Sequence, residues 1–149
     1  MKIANMTMVG EILRFHKGDD KAVITLSHKL GRGDSLFLVN DDITAYVNYD
    51  PMFGGKWIGH VHSMPEVRGS RLWKFAHETA VWMVQKRQMT QLLCFVQDGN
   101  RPLKTFVKLF GMKEVGNVGE EILYTADAQQ ILNFSSEKKY KEVDQCQQR

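Results

Sequence analysis

The chain has 149 residues, of which 43% are hydrophobic and 25% charged, with a formal net charge of +3 and a pI near 8.9. One domain of this size buries about two thirds of its unfolded surface, and the composition argues against a disordered or a membrane class. The positive charge suits an anionic partner, but only composition supports nucleic acid, so nucleic-acid binding is not favoured.

The cysteines and the N-terminus indicate the cellular compartment. Cys94 lies in an apolar run and Cys146 near the C-terminus, a spacing that matches neither a disulfide framework nor a zinc site. The first residues lack an apolar stretch of secretory length, and no later run is long enough to cross a bilayer. We therefore expect a cytoplasmic protein, in which Cys94 is a buried core residue rather than a nucleophile.

The first half of the chain predicts a helix followed by a strand meander. Apolar residues at helical spacing predict a helix at 8–15, and turn-forming residues follow it. Residues 21–30 are ambiguous between helix and strand, and the glycines at 31–34 supply a break. β-Branched and aromatic residues then predict three antiparallel strands, at 35–39, 43–49 and 57–63.

The second half predicts helices alternating with short strands. Apolar residues every three or four positions predict a helix at 72–89, where Trp73, Phe75 and Trp82 are expected in the core or at a homodimer contact. A buried strand at 91–96 precedes a helix that begins at Pro102 and ends at Gly111. Strands at 112–115 and 121–124 then pair. The domain is expected to span 1–134, and the charged, Gln-rich residues 135–149 are typical of a solvated tail.

The stretch from Ile58 to Trp73 is the most informative part of the sequence. An alternating segment ends at Pro65, crosses a short loop that contains Arg68 and Gly69, and enters the long predicted helix. This layout presents backbone N–H groups to a phosphate at a helix N-terminus. It predicts a phosphate-bearing ligand.

The element order and two motifs resemble the GNAT superfamily of acyl-CoA-dependent N-acyltransferases. Residues 65–69 resemble its V-x-P-e-x-R-G segment, and residues 100–112 resemble its N-x-x-A…G-F helix, with the same separation between Asn and Gly. The resemblance covers roughly residues 35–124 and is closest to small GNAT-like proteins of tailed bacteriophages. It implies an α/β (α+β) fold with a central mixed, mostly antiparallel sheet flanked by helices.

The resemblance also implies the reaction and its cofactor. Acetyl-CoA is the expected acyl donor, and the acceptor is an amine on a protein or a small molecule. The family binds the acceptor in variable regions, here the N-terminal helix region, residues 51–56 and the closing hairpin. The family holds the pyrophosphate at the N-terminus of the central helix and pairs pantetheine with its fourth strand. The cofactor-binding positions carried over are Val61, Ser63, Arg68, Gly69, Ser70, Arg71 and Asn100.

The sequence departs from the family pattern at three positions. Arg71 and Trp73 stand where small residues let phosphate approach the backbone, although Arg71 could supply a charge-assisted contact instead. Val107 stands where many relatives keep a tyrosine general acid, so a tyrosine-dependent mechanism is not predicted. These departures motivate an alternative, a catalytically degenerate GNAT-fold phage protein used for binding or assembly.

Three residues are candidates for the base of acyl transfer. His60 and His62 alternate along one strand and therefore share a face, and a histidine with a pKa of ~6.5 accepts a proton at neutral pH. Glu66 is the third candidate, although a place beside Pro65 suits a loop or helix start equally. The alternative for each histidine is a packed or solvent-facing role. No third ligand accompanies the pair at a recognisable spacing, so no metal is expected.

Overall fold

A computed structural model describes residues 1–4 and 8–134. The helices are α1 (Val9–Leu13), α2 (Asp20–Arg32), α3 (Gly69–Arg87), α4 (Arg101–Leu109) and α5 (Ala128–Asn133), with 3-10 turns at Arg14–His16 and Phe53–Gly55. The strands are β1 (Lys2–Ile3), β2 (Leu36–Val39), β3 (Ala45–Pro51), β4 (Lys56–Ser63), β5 (Gln91–Gln97), β6 (Lys113–Val118) and β7 (Glu121–Asp127).

These strands form one sheet in the order β1-β2-β3-β4-β5-β7-β6. The pairing of β4 with β5 is parallel, and the other described pairings are antiparallel. The mixed, mostly antiparallel sheet flanked by helices is the predicted fold, which is confirmed. No helix in the described part of the chain has the length and apolar character needed to span a membrane.

Helices cover both faces of the sheet. On one face, the large core joins Trp73 and Met83 of α3 and Val107 of α4 to strand residues such as Val47 and Tyr124. On the other face, a smaller cluster joins the first two helices to β2 and β3, and its buried members are Ile12, Leu26, Phe37, Val39 and Tyr46. Because alternate residues of a strand face opposite sides, β3 contributes to both cores.

The ambiguous region at 21–30 is helix α2. The Asp19 side chain accepts a hydrogen bond from the Ala22 backbone N–H at 3.1 Å, which caps the helix N-terminus. The helix continues through Gly31, where a break was expected, and ends at Gly33, whose φ of 73° is left-handed. Residues before Gly33 are helical because Leu26 is buried against the sheet.

Two short elements were not predicted. Strand β1 has two residues that pair with β2, and α5 has six residues. Helix α5 is held by a capping box between Asp127 and Gln130 and by burial of Ile131. Elements this short carry too few residues for a periodic pattern. Residues 135–149 lie outside the described residues, so the predicted tail stays a prediction.

Gly111 ends α4 as predicted, with a φ of +84°. A second reason for glycine comes from packing, because a Cβ at this position would lie 1.9 Å from Cε2 of Phe134. Phe134, the residue after α5, therefore packs over the end of α4.

Candidate active site

Strands β4 and β5 separate partway along their length. They pair from Lys56 opposite Gln91 to Ile58 opposite Leu93, and no pairing between them continues beyond that point in the described chain. Each strand stays paired on its other edge, β4 with β3 as far as Ser63 and β5 with β7 as far as Gln97. The β5-facing edge of residues 59–63 is therefore open.

A cavity of about 170 Å³ lies where the two strands separate. Gly59 is the first residue of β4 beyond the paired segment, and a Cβ there would lie 3.0 Å from Cδ1 of Leu92. The absence of a side chain at Gly59 therefore makes room for the Leu92 side chain, which also lines the cavity. The other lining residues are mainly apolar and include Val47, Val61, Cys94, Leu103, Phe106 and Val107.

Cys94 and Val107 both line this cavity. Burial raises the pKa of the Cys94 thiol to about 11, so the thiol is protonated at neutral pH. This is the behaviour of a core residue rather than an activated nucleophile. Val107 has no proton to transfer.

The predicted phosphate loop leads from β4 into α3. Arg68 is exposed at the N-cap position, and Gly69 has a φ of 65°, a left-handed conformation that favours glycine. Ser70 belongs to the first turn of α3, where the helix dipole is positive. Arg68, Gly69 and Ser70 are thus adjacent at the end of α3 that favours an anion.

Trp73 does not project over this loop. Its side chain is 0% exposed, and its ring lies 5.2 Å from the His77 ring and 5.4 Å from the Phe110 ring. Phe75 is also buried. Both residues belong to the core of this chain rather than to a dimer contact.

Arg71 is engaged by a carboxylate. Its Nη2 donates to Oδ2 of Asp42 at 2.8 Å, and Asp42 lies in the turn between β2 and β3. Both side chains are more than half exposed, at 59% and 53%. A phosphate at Arg71 would have to compete with Asp42.

Asn100 and Glu66 are exposed. Asn100 Oδ1 accepts from the Leu103 backbone N–H at 3.2 Å and so caps α4, just after β5. Glu66 lies in the turn that follows β4 and lines none of the described cavities. The structure therefore does not bring Glu66 to the two histidines.

His60 and His62 share the sheet face covered by the first two helices, as predicted from their alternation. In the register of β3 with β4, His60 lies opposite Asn48 and His62 opposite Tyr46. Both histidines line a second cavity of about 300 Å³ between α2 and the sheet, and both also line the cavity between β4 and β5. The open half of β4 is therefore a wall shared by the two cavities.

A polar network surrounds Asp50, the next-to-last residue of β3. Its carboxylate accepts from Lys29 Nζ at 2.7 Å and from Ser35 Oγ at 2.6 Å, and it lies 3.2 Å from His60 Nε2. Burial alone would raise the pKa of Asp50, but the hydrogen bonds from His60, Lys29 and Ser35 outweigh burial and hold that pKa well below its usual range. Asp50 is therefore ionised.

The Asp50 carboxylate defines the proton arrangement of His60. Because Nε2 lies 3.2 Å from an ionised carboxylate, it is the ring nitrogen at which the proton is favoured, which leaves the lone pair of the neutral imidazole on Nδ1. The His60 side chain is 40% exposed. It can therefore accept a proton at Nδ1 from a group in the second cavity.

His62 lies in an aromatic cluster. It stacks on Tyr46 with ring centroids 4.8 Å apart, and the His16 ring meets it edge-on, also at 4.8 Å. His16 Nε2 and the Tyr46 hydroxyl are hydrogen-bonded at 2.5 Å. Burial, followed by the positive charges of His16, His60 and Lys29, lowers the pKa of His62 to about 4. His62 is neutral at pH 7.

Acidification is expected to destabilise the protein through His62. Because folding lowers the His62 pKa from 6.5 to about 4, the unfolded chain binds more protons between these values. The stabilisation is complete above pH 6.5 and is lost as the pH falls toward 4. The loss should reach roughly 2–3 kcal/mol by pH 4.5.

Urea unfolding at pH 7 and pH 4.5 measures this dependence. His62→Gln should unfold with a smaller pH dependence than the wild type, whereas His28→Gln, at an exposed histidine of α2, should match the wild type. If His62→Gln keeps the pH dependence of the wild type, the loss of stability at low pH does not come from His62.

Sequence reasoning missed Lys29, Asp50, His16 and Tyr46. Lys29 and Asp50 are 21 residues apart, and His16 and Tyr46 are 30 apart. No local motif connects residues so distant in the chain. Among the described residues, no group of three or more His, Cys, Asp or Glu could hold a metal ion.

Comparison with known proteins supports the fold through structure rather than sequence. No protein-family profile matches the chain, and no curated protein matches its sequence. A chimera of the spermidine N-acetyltransferase SpeG from Vibrio cholerae and hSSAT has a TM-score of 0.70 at 9% identity, covering 89% of this chain and 98% of that one.

Two further structures agree. Campylobacter jejuni N-acetyltransferase PseH, solved with acetyl coenzyme A, has a TM-score of 0.66 at 9% identity and covers 85% of this chain and 97% of its own. A GNAT-family acetyltransferase from Bacillus anthracis has a TM-score of 0.66 at 9% identity, with 86% and 93% covered. The seven-strand sheet, its separating parallel pair and these likenesses together show that the chain has the GNAT N-acetyltransferase fold.

Proposed function

We propose that the protein is an acyl-CoA-dependent N-acyltransferase that uses acetyl-CoA as donor and an amine as acceptor. The observation that carries this proposal is the separation of β4 from β5 beyond Ile58, with a cavity at the separation. An open strand edge beside an apolar cavity suits an extended chain that carries amide groups, such as pantetheine. The histidines of the second cavity lie next to the same edge.

The cofactor would be held at three places. Val61 and Ser63 would pair with pantetheine through the open edge of β4, and Asn100, whose Oδ1 caps α4, would contribute its amide nitrogen. The phosphates would bind at the N-terminus of α3, against Arg68, Gly69, Ser70 and Arg71. The donor supplies an acyl group activated as a thioester.

His60 is the proposed base. Its Nδ1 would take the proton of the attacking amine, and Asp50 would orient the ring and stabilise the imidazolium that forms. Lys29 and Ser35 hold Asp50 in turn. His62 is buried and has a pKa of about 4, so it suits a wall of the cavity better than proton transfer. Glu66 suits a turn role.

The alternative is a GNAT-fold phage protein that has kept the fold for binding or assembly. Two observations favour it: Asp42 already engages Arg71, and Val107 stands in place of an acid on α4. This alternative predicts no acetyl-CoA affinity.

Calorimetric titration with acetyl-CoA tests the proposal before any acceptor is known. Saturable binding at micromolar concentration would support it. Comparison with free CoA measures the contribution of the acetyl thioester, and comparison of CoA with dephospho-CoA measures that of the 3′-phosphate. No heat of binding at millimolar acetyl-CoA would overturn the proposal and favour the assembly protein.

Arg68→Ala is expected to weaken acetyl-CoA binding about tenfold, because it removes a charge-assisted contact to phosphate. Lys86→Ala is the matched control, since it removes an exposed positive charge from the last turn of the same helix. Isothermal titration gives both affinities. Equal dissociation constants for the two variants would contradict the proposed binding of phosphate by the loop at the start of α3.

Asp42→Asn is expected to tighten acetyl-CoA binding by about threefold, because it releases Arg71 from its ion pair. Asp41→Asn is the matched control: this neighbouring carboxylate pairs with the N-terminal amine at 2.8 Å instead. The same titration measures both. If the two variants change affinity equally, Arg71 makes no specific contact with phosphate.

A further inference from the structure

The second cavity has an uneven distribution of charge. Lys21, Thr25 and Lys29 line it from α2, at intervals of four residues that place them on one face of the helix. His16, His60 and His62 also line this cavity, and Asp19 contributes a carboxylate to its lining. The described lining therefore carries two lysines and one carboxylate, and Lys29 is paired with a second carboxylate, that of Asp50 behind His60.

The carboxylates at this cavity are already engaged. Asp19 accepts from the Ala22 backbone N–H at the start of α2. Asp50, directly behind His60, is held by Lys29, Ser35 and His60. An acceptor with several ammonium groups would therefore find Asp50 already paired with Lys29 and Asp19 already hydrogen-bonded to the backbone.

Lys21 is placed differently from Lys29. Lys29 Nζ donates to Asp50 Oδ2 and, at 3.0 Å, to Asn48 Oδ1. The ion pairs found in the described residues do not include Lys21, which is exposed in the first turn of α2. The helical rise puts these two lysines about 12 Å apart along α2. Lys21 is thus the positive charge that an incoming anionic group could pair with.

The lysines supply the positive charge of this cavity at neutral pH, because His62 is neutral there and His60 acts as the base in its neutral form. Since Lys29 is already paired with Asp50, an incoming anion would pair with Lys21.

We infer that the acceptor is a small amine that also carries an anionic group, a carboxylate or a phosphate, with the amine at His60 and the anion toward Lys21. The inference rests on the proposed acyltransferase function. The cavity volume of about 300 Å³ is at the small end of ligand pockets, which suits a small molecule. A polyamine would place its additional ammonium groups against Lys21 and Lys29.

Matched acceptor pairs test this inference with acetyl-CoA as donor. β-Alanine is compared with β-alaninamide, O-phosphoethanolamine with ethanolamine, and spermidine represents the polycations. The initial rate of CoA thiol release gives kcat/KM, which is calculated with the concentration of the unprotonated form of each amine. The anionic member of a pair should be preferred about tenfold, and the pair that responds more strongly identifies carboxylate or phosphate.

Substitution of Lys21 makes the test specific to this cavity. Lys21→Gln should reduce the anionic preference about fivefold, and Lys21→Glu should reverse it in favour of spermidine. Lys86→Gln, at the far end of α3, is the matched control and should leave the preference unchanged.

Each contrary outcome has a distinct meaning. Equal rates within both pairs, faster turnover of spermidine, or a preference that survives Lys21→Gln would overturn the inference. If acetyl-CoA binds but none of the five amines is acylated, the inferred acceptor class is wrong while cofactor binding stands. If acetyl-CoA does not bind, the proposed function itself fails.

Discussion

Replacement of His60 by glutamine is expected to lower kcat by about 10²- to 10⁴-fold, the range typical of losing a positioned general base. Glutamine keeps a donor for Asp50 but has no nitrogen that accepts a proton. Acetyl-CoA affinity should change less than about twofold, because the proposed base faces the acceptor cavity. Steady-state kinetics with any productive acceptor and a calorimetric titration measure the two quantities.

Two companion variants distinguish a base from a structural residue. Asp50→Asn should lower kcat and shift the pH profile, since the Nε2 proton of His60 loses its charged acceptor. His62→Gln should change kcat by less than about tenfold, because a pKa of about 4 makes His62 a weak base at neutral pH. Retention of wild-type kcat in His60→Gln, or a larger loss of kcat in His62→Gln than in His60→Gln, would show that His60 is not the base.

Trp73→Ala is expected to lower the free energy of unfolding by about 3–5 kcal/mol, as for other large aromatic side chains removed from a core. The Trp73 side chain is completely buried and packs against both His77 and Phe110. The His77 ring N–H in turn donates to Ile131 O at 2.9 Å, which connects α3 to α5. Removing the indole therefore loosens the packing of three helices.

Urea denaturation gives this free energy, with Trp82→Ala as the matched control on the same helix. Trp82 is only partly buried and has Arg87 5.7 Å from its ring centroid, so its loss should cost about 1–2 kcal/mol. Equal losses for the two variants would show that Trp73 contributes no more to the core than a partly buried tryptophan does.

Much of the fold could be predicted because its signals are local. The strand meander follows from its β-branched and aromatic residues, α3 from its periodicity, and α4 from Asn100 and Gly111, which mark its ends by capping and by a positive φ. Helix α2 could not be distinguished from a strand by pattern. Its helical state depends on the cap at Asp19 together with burial of Leu26 against the sheet.

The candidate site was predictable only in part. Alternation placed His60 and His62 on one face, and the approach to α3 predicted the phosphate loop. Nothing local predicted that Arg71 would pair with Asp42, because these residues are 29 positions apart. The buried place of Trp73 likewise depends on packing against Phe110, which directly follows α4.

The sequence by itself determined the order of the main elements and the shared face of the two histidines, because both depend on residues close together in the chain. Only the tertiary structure decided which histidine has a carboxylate behind it and which is buried against Tyr46, since those partners come from β3. The tertiary structure also decided where β4 separates from β5. That separation involves strands that come from distant parts of the chain, so no single segment encodes it.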